Sequence, residues 1–138
     1  MEGFRFCYSL RVRYSEIDGQ KIVFNAHYMT YLDVAITEYF REIRSKVPDV
    51  CFDIALVKTT LEFKSSAFLD DILNIYCRTV RLGNSSFTVE FIIERDVDKS
   101  VVLQAETIYV SYDDQAHKAV PIPDKIRAAI RELERMQG

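Results

Sequence analysis

The chain of 138 residues has no tryptophan, only two histidines, three cysteines, three prolines and four glycines. So little glycine and proline excludes collagen-like and low-complexity chains, and with 49 % hydrophobic residues a disordered chain is excluded as well. The cysteines, Cys7, Cys51 and Cys77, are odd in number and form no CxxC pair, which argues against a disulfide framework. They are expected to be small core residues. His27 and His117 lack the Cys/His spacing of a zinc site, so no metal is expected. No apolar run approaches the roughly 18 residues of a membrane span, and no long apolar stretch follows Met1 as in a signal peptide, so a cytoplasmic location is expected. Eighteen Lys and Arg against twenty-one Asp and Glu give a net charge of −3. No basic field is then present to recruit nucleic acid or an anionic membrane, and any anion must be bound locally.

What is present suits one domain over residues 1–138. Residues 4–14 alternate, with Phe4, Phe6, Tyr8, Leu10, Val12 and Tyr14 on one face, as in a half-buried strand. Residues 15–24 lose that period and read as a loop carrying Glu16, Asp18 and Gly19. From Asn25, a plausible N-cap, to about Lys46 the period is helical, and apolar residues occupy far more than one stripe. Such a helix needs cover on several sides, which a strongly curved sheet provides. Strands are predicted at 53–63, 72–82, 86–95 and 101–112, joined by short polar connections as antiparallel hairpins. Ala55, Val57, Thr59, Leu61 and Phe63 form one predicted face of the first of these. Pro121 and Pro123 precede a short amphipathic helix with Ile126, Ala129, Ile130, Leu133 and Met136 on one face. The predicted class is α+β: a curved five-stranded antiparallel sheet around one long central helix, with a short C-terminal helix. Exposed sheet edges imply pairing with a second copy.

The loop before the long helix is the most informative stretch. A helix N-terminus offers peptide N–H groups without intrahelical partners and a partial positive charge, which together stabilise an oxyanion. Asp18, placed just before it, is able to attack an acyl carbon or to deprotonate a water. An Asp that merely shapes a turn fits the same pattern.

The segment Arg13-Tyr14-Ser15-Glu16-Ile17-Asp18, followed by Ile22-Val23-Phe24-Asn25-Ala26-His27-Tyr28-Met29-Thr30-Tyr31-Leu32-Asp33, resembles the signature of hot dog fold acyl-CoA thioesterases of the 4-hydroxybenzoyl-CoA thioesterase family. Phe63 through Asp71, Gly83-Asn84-Ser85-Ser86-Phe87, Gln104-Ala105-Glu106-Thr107 and Val120-Pro121-Ile122-Pro123 extend the resemblance over most of the chain. It implies a sheet wrapped round one helix, and protomers paired into a homodimer or homotetramer with sites at the subunit interface. It also implies Asp18 as the catalytic carboxylate and the peptide N–H near Asn25 as the group that polarises a thioester carbonyl. No cofactor is implied, and the substrate class is an acyl-CoA or an acyl group on a carrier protein.

Ala26, His27, Tyr28 and Tyr31 are the candidate acyl-pocket residues, although aromatics on a buried helix also serve as core. Arg81, Gly83, Asn84, Ser85 and Ser86 offer a cation, a tight turn and hydroxyls to coenzyme A. Three positions depart from the family: Lys21 stands where Gly is common, Asn25 where His or Tyr is frequent, and Glu16 where Asp is frequent. Gly19 is expected to supply the backbone freedom that Lys21 lacks. Glu38 on the central helix is the competing carboxylate. A non-catalytic acyl-CoA-binding module and a hot dog dehydratase are the rival functions, the latter disfavoured because His27 has no matching acidic partner.

Overall fold

The computed structural model describes residues 1–136. In chain order it contains β1 (Phe6–Arg11), a 3-10 turn (Tyr14–Glu16), α1 (His27–Ser45), β2 (Asp53–Phe63), β3 (Ile72–Leu82), β4 (Ser86–Arg95), β5 (Val101–Asp113), β6 (Lys118–Ala119) and α2 (Asp124–Glu134). The sheet runs β1-β3-β4-β5-β2, every pair antiparallel, with two-residue β6 added alongside β5. The expected five long strands are therefore joined by one short sixth. β3–β4 and β4–β5 are hairpins, but β2 is not the neighbour of β3: it crosses to the far edge and pairs with β5. Turn residues mark where a strand ends and not which strand it will join, so the local pattern suggested a hairpin that the fold does not make.

Alternation decides which face packs. On β4, Phe87, Val89, Phe91 and Ile93 are buried against α1, and on β3 so are Leu73, Ile75 and Cys77. From α1 come Tyr28, Tyr31, Leu32, Ala35, Ile36, Tyr39, Phe40 and Ile43. They form one broad face of about half the girth, on which the curved sheet packs, while Thr30, Asp33, Thr37, Arg41 and Glu42 on the opposite side are exposed, so the expectation of cover on several sides is corrected. Edge-to-face contacts of Phe40 with Tyr39 (5.2 Å) and Phe87 (5.5 Å) hold the middle of the core.

The β2 alternation breaks at a bulge between Leu56 and Lys58, which leaves Val57 59 % exposed instead of on the expected inner face. Phe63 is likewise half exposed. Of the cysteines only Cys77 is core; Cys7 on the outer face of β1 and Cys51 before β2 are exposed, contrary to expectation. α1 begins at His27, two residues later than the periodicity suggested, with Ala26 and not Asn25 at the cap position and no side-chain cap bond.

The C-terminal helix is docked by polar contacts as well as by Ile126, Ala129 and Ile130. Met136, expected on that face, lies beyond the helix end. Tyr39 Oη donates to Glu134 Oε2 at 2.5 Å and lies 2.8 Å from Thr79 Oγ1, while the Thr79 peptide N–H donates to the same Glu134 oxygen at 2.9 Å. These bonds tie α1, β3 and α2 at one point. Arg127 donates to the carbonyls of Gly83 (2.8 Å) and Asn84 (3.1 Å), fixing the β3–β4 turn.

Residues 15–24 form a tight two-ended hook. Ile17 bridges Val23, and Ile22 bridges Phe68. Asp18 N–H donates to Ile22 O and Lys21 N–H to Asp18 O, both at 2.9 Å. This is a hairpin with Gly19, Gln20 and Lys21 as its loop, a geometry that needs a left-handed residue in third place. Lys21 takes it, at φ 65°. Gly19 does not, so the expected compensation by Gly19 is corrected: the lysine itself carries the strain.

Two outcomes follow. A left-handed non-glycine residue costs about 1–2 kcal/mol, of which glycine's extra chain entropy returns roughly half. Lys21→Gly is therefore expected to raise the unfolding free energy by about 0.5–1 kcal/mol in urea titrations, and β-branched Lys21→Val to lower it. Burial, followed by the charges of Glu16, Glu134 and Asp33 respectively, pushes the phenols of Tyr31, Tyr39 and Tyr109 above the ordinary value of 10.0. Below pH 10 both states keep these protons. Above it the unfolded chain releases them first, and stability is lost as pH rises, by up to about 1.4 kcal/mol per pH unit for each tyrosine. Chemical unfolding followed from pH 8 to 11 should show this decline, with a shallower slope in Tyr39→Phe.

Candidate active site

Asp18 sits at the start of the hook's turn and is half-buried. Its Oδ1 accepts the Gln20 peptide N–H at 2.8 Å, and among the described residues Oδ2 receives no hydrogen bond. One oxygen thus fixes the carboxylate's orientation while the other remains open. The turn-shaping role and the chemical role expected for this residue are compatible.

The chain then returns directly to α1. Val23 N–H donates to Ala67 O, and Phe24 N–H to Glu16 O, both at 2.9 Å, so the base of the hook is closed one residue before Asn25. His27 N–H turns back to Phe24 O at 2.9 Å and Tyr28 N–H to Asn25 O at 3.3 Å. Among the described residues the peptide N–H groups of Asn25 and Ala26 donate to no protein acceptor. These are unpaired donors at the positive end of a 19-residue helix. Asn25 and Ala26 are exposed, and His27 is half-buried with its ring edge-on to Phe24 at 6.2 Å.

Tyr28 and Tyr31 point inward. Tyr28 is 3 % exposed and meets Tyr31 and Phe63, each at 5.8 Å, while Tyr31 is fully enclosed. The Tyr31 hydroxyl donates to Glu16 Oε1 at 2.8 Å. Glu16, 3 % exposed, also accepts the Arg13 peptide N–H and Arg13 Nε, each at 2.8 Å, and forms a short ion pair with Arg13 Nη2. Burial pushes this carboxyl up, but the hydrogen bonds from Arg13 and Tyr31 and the guanidinium charge outweigh it and hold it below the usual carboxylate value. Glu16 was not singled out as a site residue from the sequence. The available signal was its spacing, Arg13 and Glu16 three apart in a turn that leads to the candidate Asp18.

The other candidates lie elsewhere. Glu38 is eleven residues beyond the start of α1, about 17 Å along the helix axis, and pairs with Arg41 at 3.1 Å. With Thr30, Asp33, Val34 and Thr37 it lines a shallow groove of about 310 Å³. The Arg81–Ser86 turn is at the opposite end of the protomer, because β3 starts near the hook and runs eleven residues to Leu82, about 35 Å. Arg81 and Asn84 are exposed, and Ser85 and Ser86 half-buried. Gly83 is needed for closeness: a Cβ there would lie 2.9 Å from Ser86 Oγ and 3.1 Å from its carbonyl oxygen. Within one protomer, then, Asp18 lies on the hook that leads into the Asn25–His27 segment, and the glycine turn joins neither. No helix among the described residues is long and apolar enough to cross a membrane, and no group of three or more His, Cys, Asp or Glu among them gathers as a metal cluster.

Residues 20–102, more than half of the chain, match the family model of the thioesterase superfamily. The acyl-CoA thioesterase YbgC of Haemophilus influenzae is 25 % identical over 134 residues, covering 94 % of this chain and 96 % of the relative. The acyl-CoA thioester hydrolase YbgC of Escherichia coli is 26 % identical over 132 residues, covering 92 % and 96 %. Among solved structures, a Thermus thermophilus thioesterase in complex with coenzyme A and Zn superposes with a TM-score of 0.85 at 24 % identity over the whole of both chains. A 1,4-dihydroxy-2-naphthoyl-CoA thioesterase from Synechocystis gives 0.80 at 19 % identity, covering 94 % of this chain and 97 % of the other. With its helix wrapped in a curved antiparallel sheet, the chain has the hot dog fold and belongs to the thioesterase superfamily, as a thioester hydrolase.

Proposed function

We propose that the chain hydrolyses acyl-CoA thioesters to a carboxylic acid and coenzyme A, with Asp18 as the catalytic carboxylate and the peptide N–H groups of Asn25 and Ala26 as the oxyanion site. The observation that carries this is the hook: a carboxylate with one open oxygen and a helix start with unpaired N–H donors stand on one short hairpin, whose base is tied by the Phe24 N–H bond to Glu16 O. As the thioester carbonyl is attacked, negative charge gathers on its oxygen, where fixed N–H dipoles stabilise it without reorganisation. Asp18 either takes a proton from the attacking water or bonds to the acyl carbon itself, giving an anhydride that water then opens. In both routes the C–S bond breaks and the thiolate leaves without a strong general acid, because thiols are acidic compared with alcohols.

The other candidate residues join this scheme at the partner surface. His27 and Ala26 border the acyl group at the mouth, and Tyr28 and Tyr31 form the wall behind it. The Arg81–Ser86 turn meets the nucleotide, but of a second copy. β2 is an edge strand with Leu56, Val57 and Phe63 exposed. A two-fold axis pairs such an edge antiparallel with its own copy. The Phe63 end of one protomer, beside the hook, then faces the Asp53 end of the other, beside its glycine turn. One extended acyl-CoA spans the two, and the active unit is a homodimer.

Thiol release from short, long and aromatic acyl-CoAs tests the activity. Wild type is expected to turn over at least one of them, and Asp18→Asn to lose about 10²-fold or more in kcat with an unchanged melting midpoint. Equal activity of the two proteins would remove Asp18 from the mechanism. Sedimentation tests the assembly: wild type is expected as a dimer, and Val57→Asp, which puts a charge on the pairing edge, as a monomer that releases thiol at least about tenfold more slowly. A fully active monomer would refute the shared site.

A further inference from the structure

Tyr31 lies on the second turn of α1, and Glu16 two residues ahead of Asp18. Both side chains are inside the protein, and their 2.8 Å hydrogen bond links the hook to the helix that follows it. The same residue 16 closes the hook through its backbone, accepting from Phe24 N–H, and holds Arg13 through its side chain. Glu16 thus ties the hook to three places: to Arg13 before it, to Phe24 at its return and to Tyr31 on α1.

We propose that Glu16 and Tyr31 are positioning residues of the thioesterase reaction, their buried hydrogen bond setting where the Asp18 carboxylate stands relative to the N–H groups of Asn25 and Ala26. This rests on the reading of Asp18 as the catalytic carboxylate. Stability alone does not account for the pair. The hook is already closed by apolar Ile17 and Val23 and by main-chain bonds, and a buried carboxylate held by an ion pair stabilises a fold little better than an apolar side chain of equal volume. What such a pair adds is direction, since charge-assisted hydrogen bonds fix both distance and angle. Placement is what this chemistry requires, because displacement of a catalytic group by about 1 Å costs on the order of 10²-fold in rate. Glu16 carries out no proton transfer: its oxygens are occupied, and it is sealed from substrate.

The test is Tyr31→Phe, which removes one oxygen and keeps the ring, with Glu16→Gln, which keeps an acceptor for Tyr31 and loses the charge, as a second variant. Tyr31→Phe is expected to lower kcat about tenfold with KM within about twofold, and to have no further effect in the Asp18→Asn background. Glu16→Gln, whose amide NH2 must face the Arg13 donors, is expected to lower kcat as well, with KM within about twofold; wild-type kcat in this variant would overturn the positioning role. Amide hydrogen exchange of residues 17–24 in Tyr31→Phe should quicken by about tenfold while β3 and β4 keep their protection. Unchanged kcat alongside a lowered melting midpoint would reduce the pair to fold stabilisation. The same tenfold loss in the Asp18→Asn background would show that Tyr31 acts elsewhere. Should wild type release no thiol, the proposed function fails by itself, and the exchange measurement still decides the clamp: unaltered exchange at 17–24 overturns it.

Discussion

One face of α1, about half of its girth, is apolar and must be taken out of water, and the rest of this protein is arranged about that constraint. Eight side chains of α1 are buried, from Tyr28 in its first turn to Ile43 in its last. At about 1.5–3 kcal/mol for each large apolar side chain removed from water, this is the main drive to fold. It requires the sheet to curve, the β1 and β2 edges to come round the helix, and α2 to close the gap near Tyr39. The N-terminal end of the helix, with its unpaired N–H groups, is where the hook returns to it.

Two carboxylates two residues apart illustrate how environment divides roles. Glu16 is sealed under the hook, with its charge neutralised by Arg13 and its remaining oxygen taken by Tyr31. A carboxylate there without those partners would be costly, so the bonds are a condition of its burial. Asp18 is at the rim, tied by one peptide N–H and otherwise open. The first is suited to hold and the second to react, although by residue type the reverse assignment was equally possible.

That contrast marks the limit of what the chain reveals before folding. β2, β3 and β4 were legible to the residue because alternation and turn residues coincide at 63, 72, 82, 86 and 95. A sheet packed on α1 was legible from its apolar residues, but their breadth overstated the cover, since Met29 and Val34 are only half-buried and the side carrying Thr30, Asp33 and Thr37 stays exposed. The long crossover of β2 to the far edge was not, since pairing depends on the whole topology. Nor was the bulge that turns Val57 outward, because an inserted residue reverses a face without altering composition. The order of Asp18 and a following helix was visible in the sequence, although the helix starts two residues later than its period suggested; the hydrogen bond between Glu16 and Tyr31 was not, because a charged residue in a polar loop is ordinarily solvated and only the return of the chain over it creates the burial.

The lysine in the turn follows from the same logic. A left-handed non-glycine residue persists only where its surroundings over-determine the backbone. Here Asp18 N–H is held by Ile22 O, Lys21 N–H by Asp18 O and Val23 N–H by Ala67 O, with Phe24 N–H anchored on Glu16 O below them. Each bond restricts the same few dihedral angles, and the buried carboxylate under the last of them prevents the hook from relaxing by lifting off α1. The strain at Lys21 and the clamp at Glu16 are thus opposed across one small loop, and the residue held between them is Asp18. A loop free to relax would lower its own energy by moving that carboxylate. Fixed from below, it keeps the strain and the placement together.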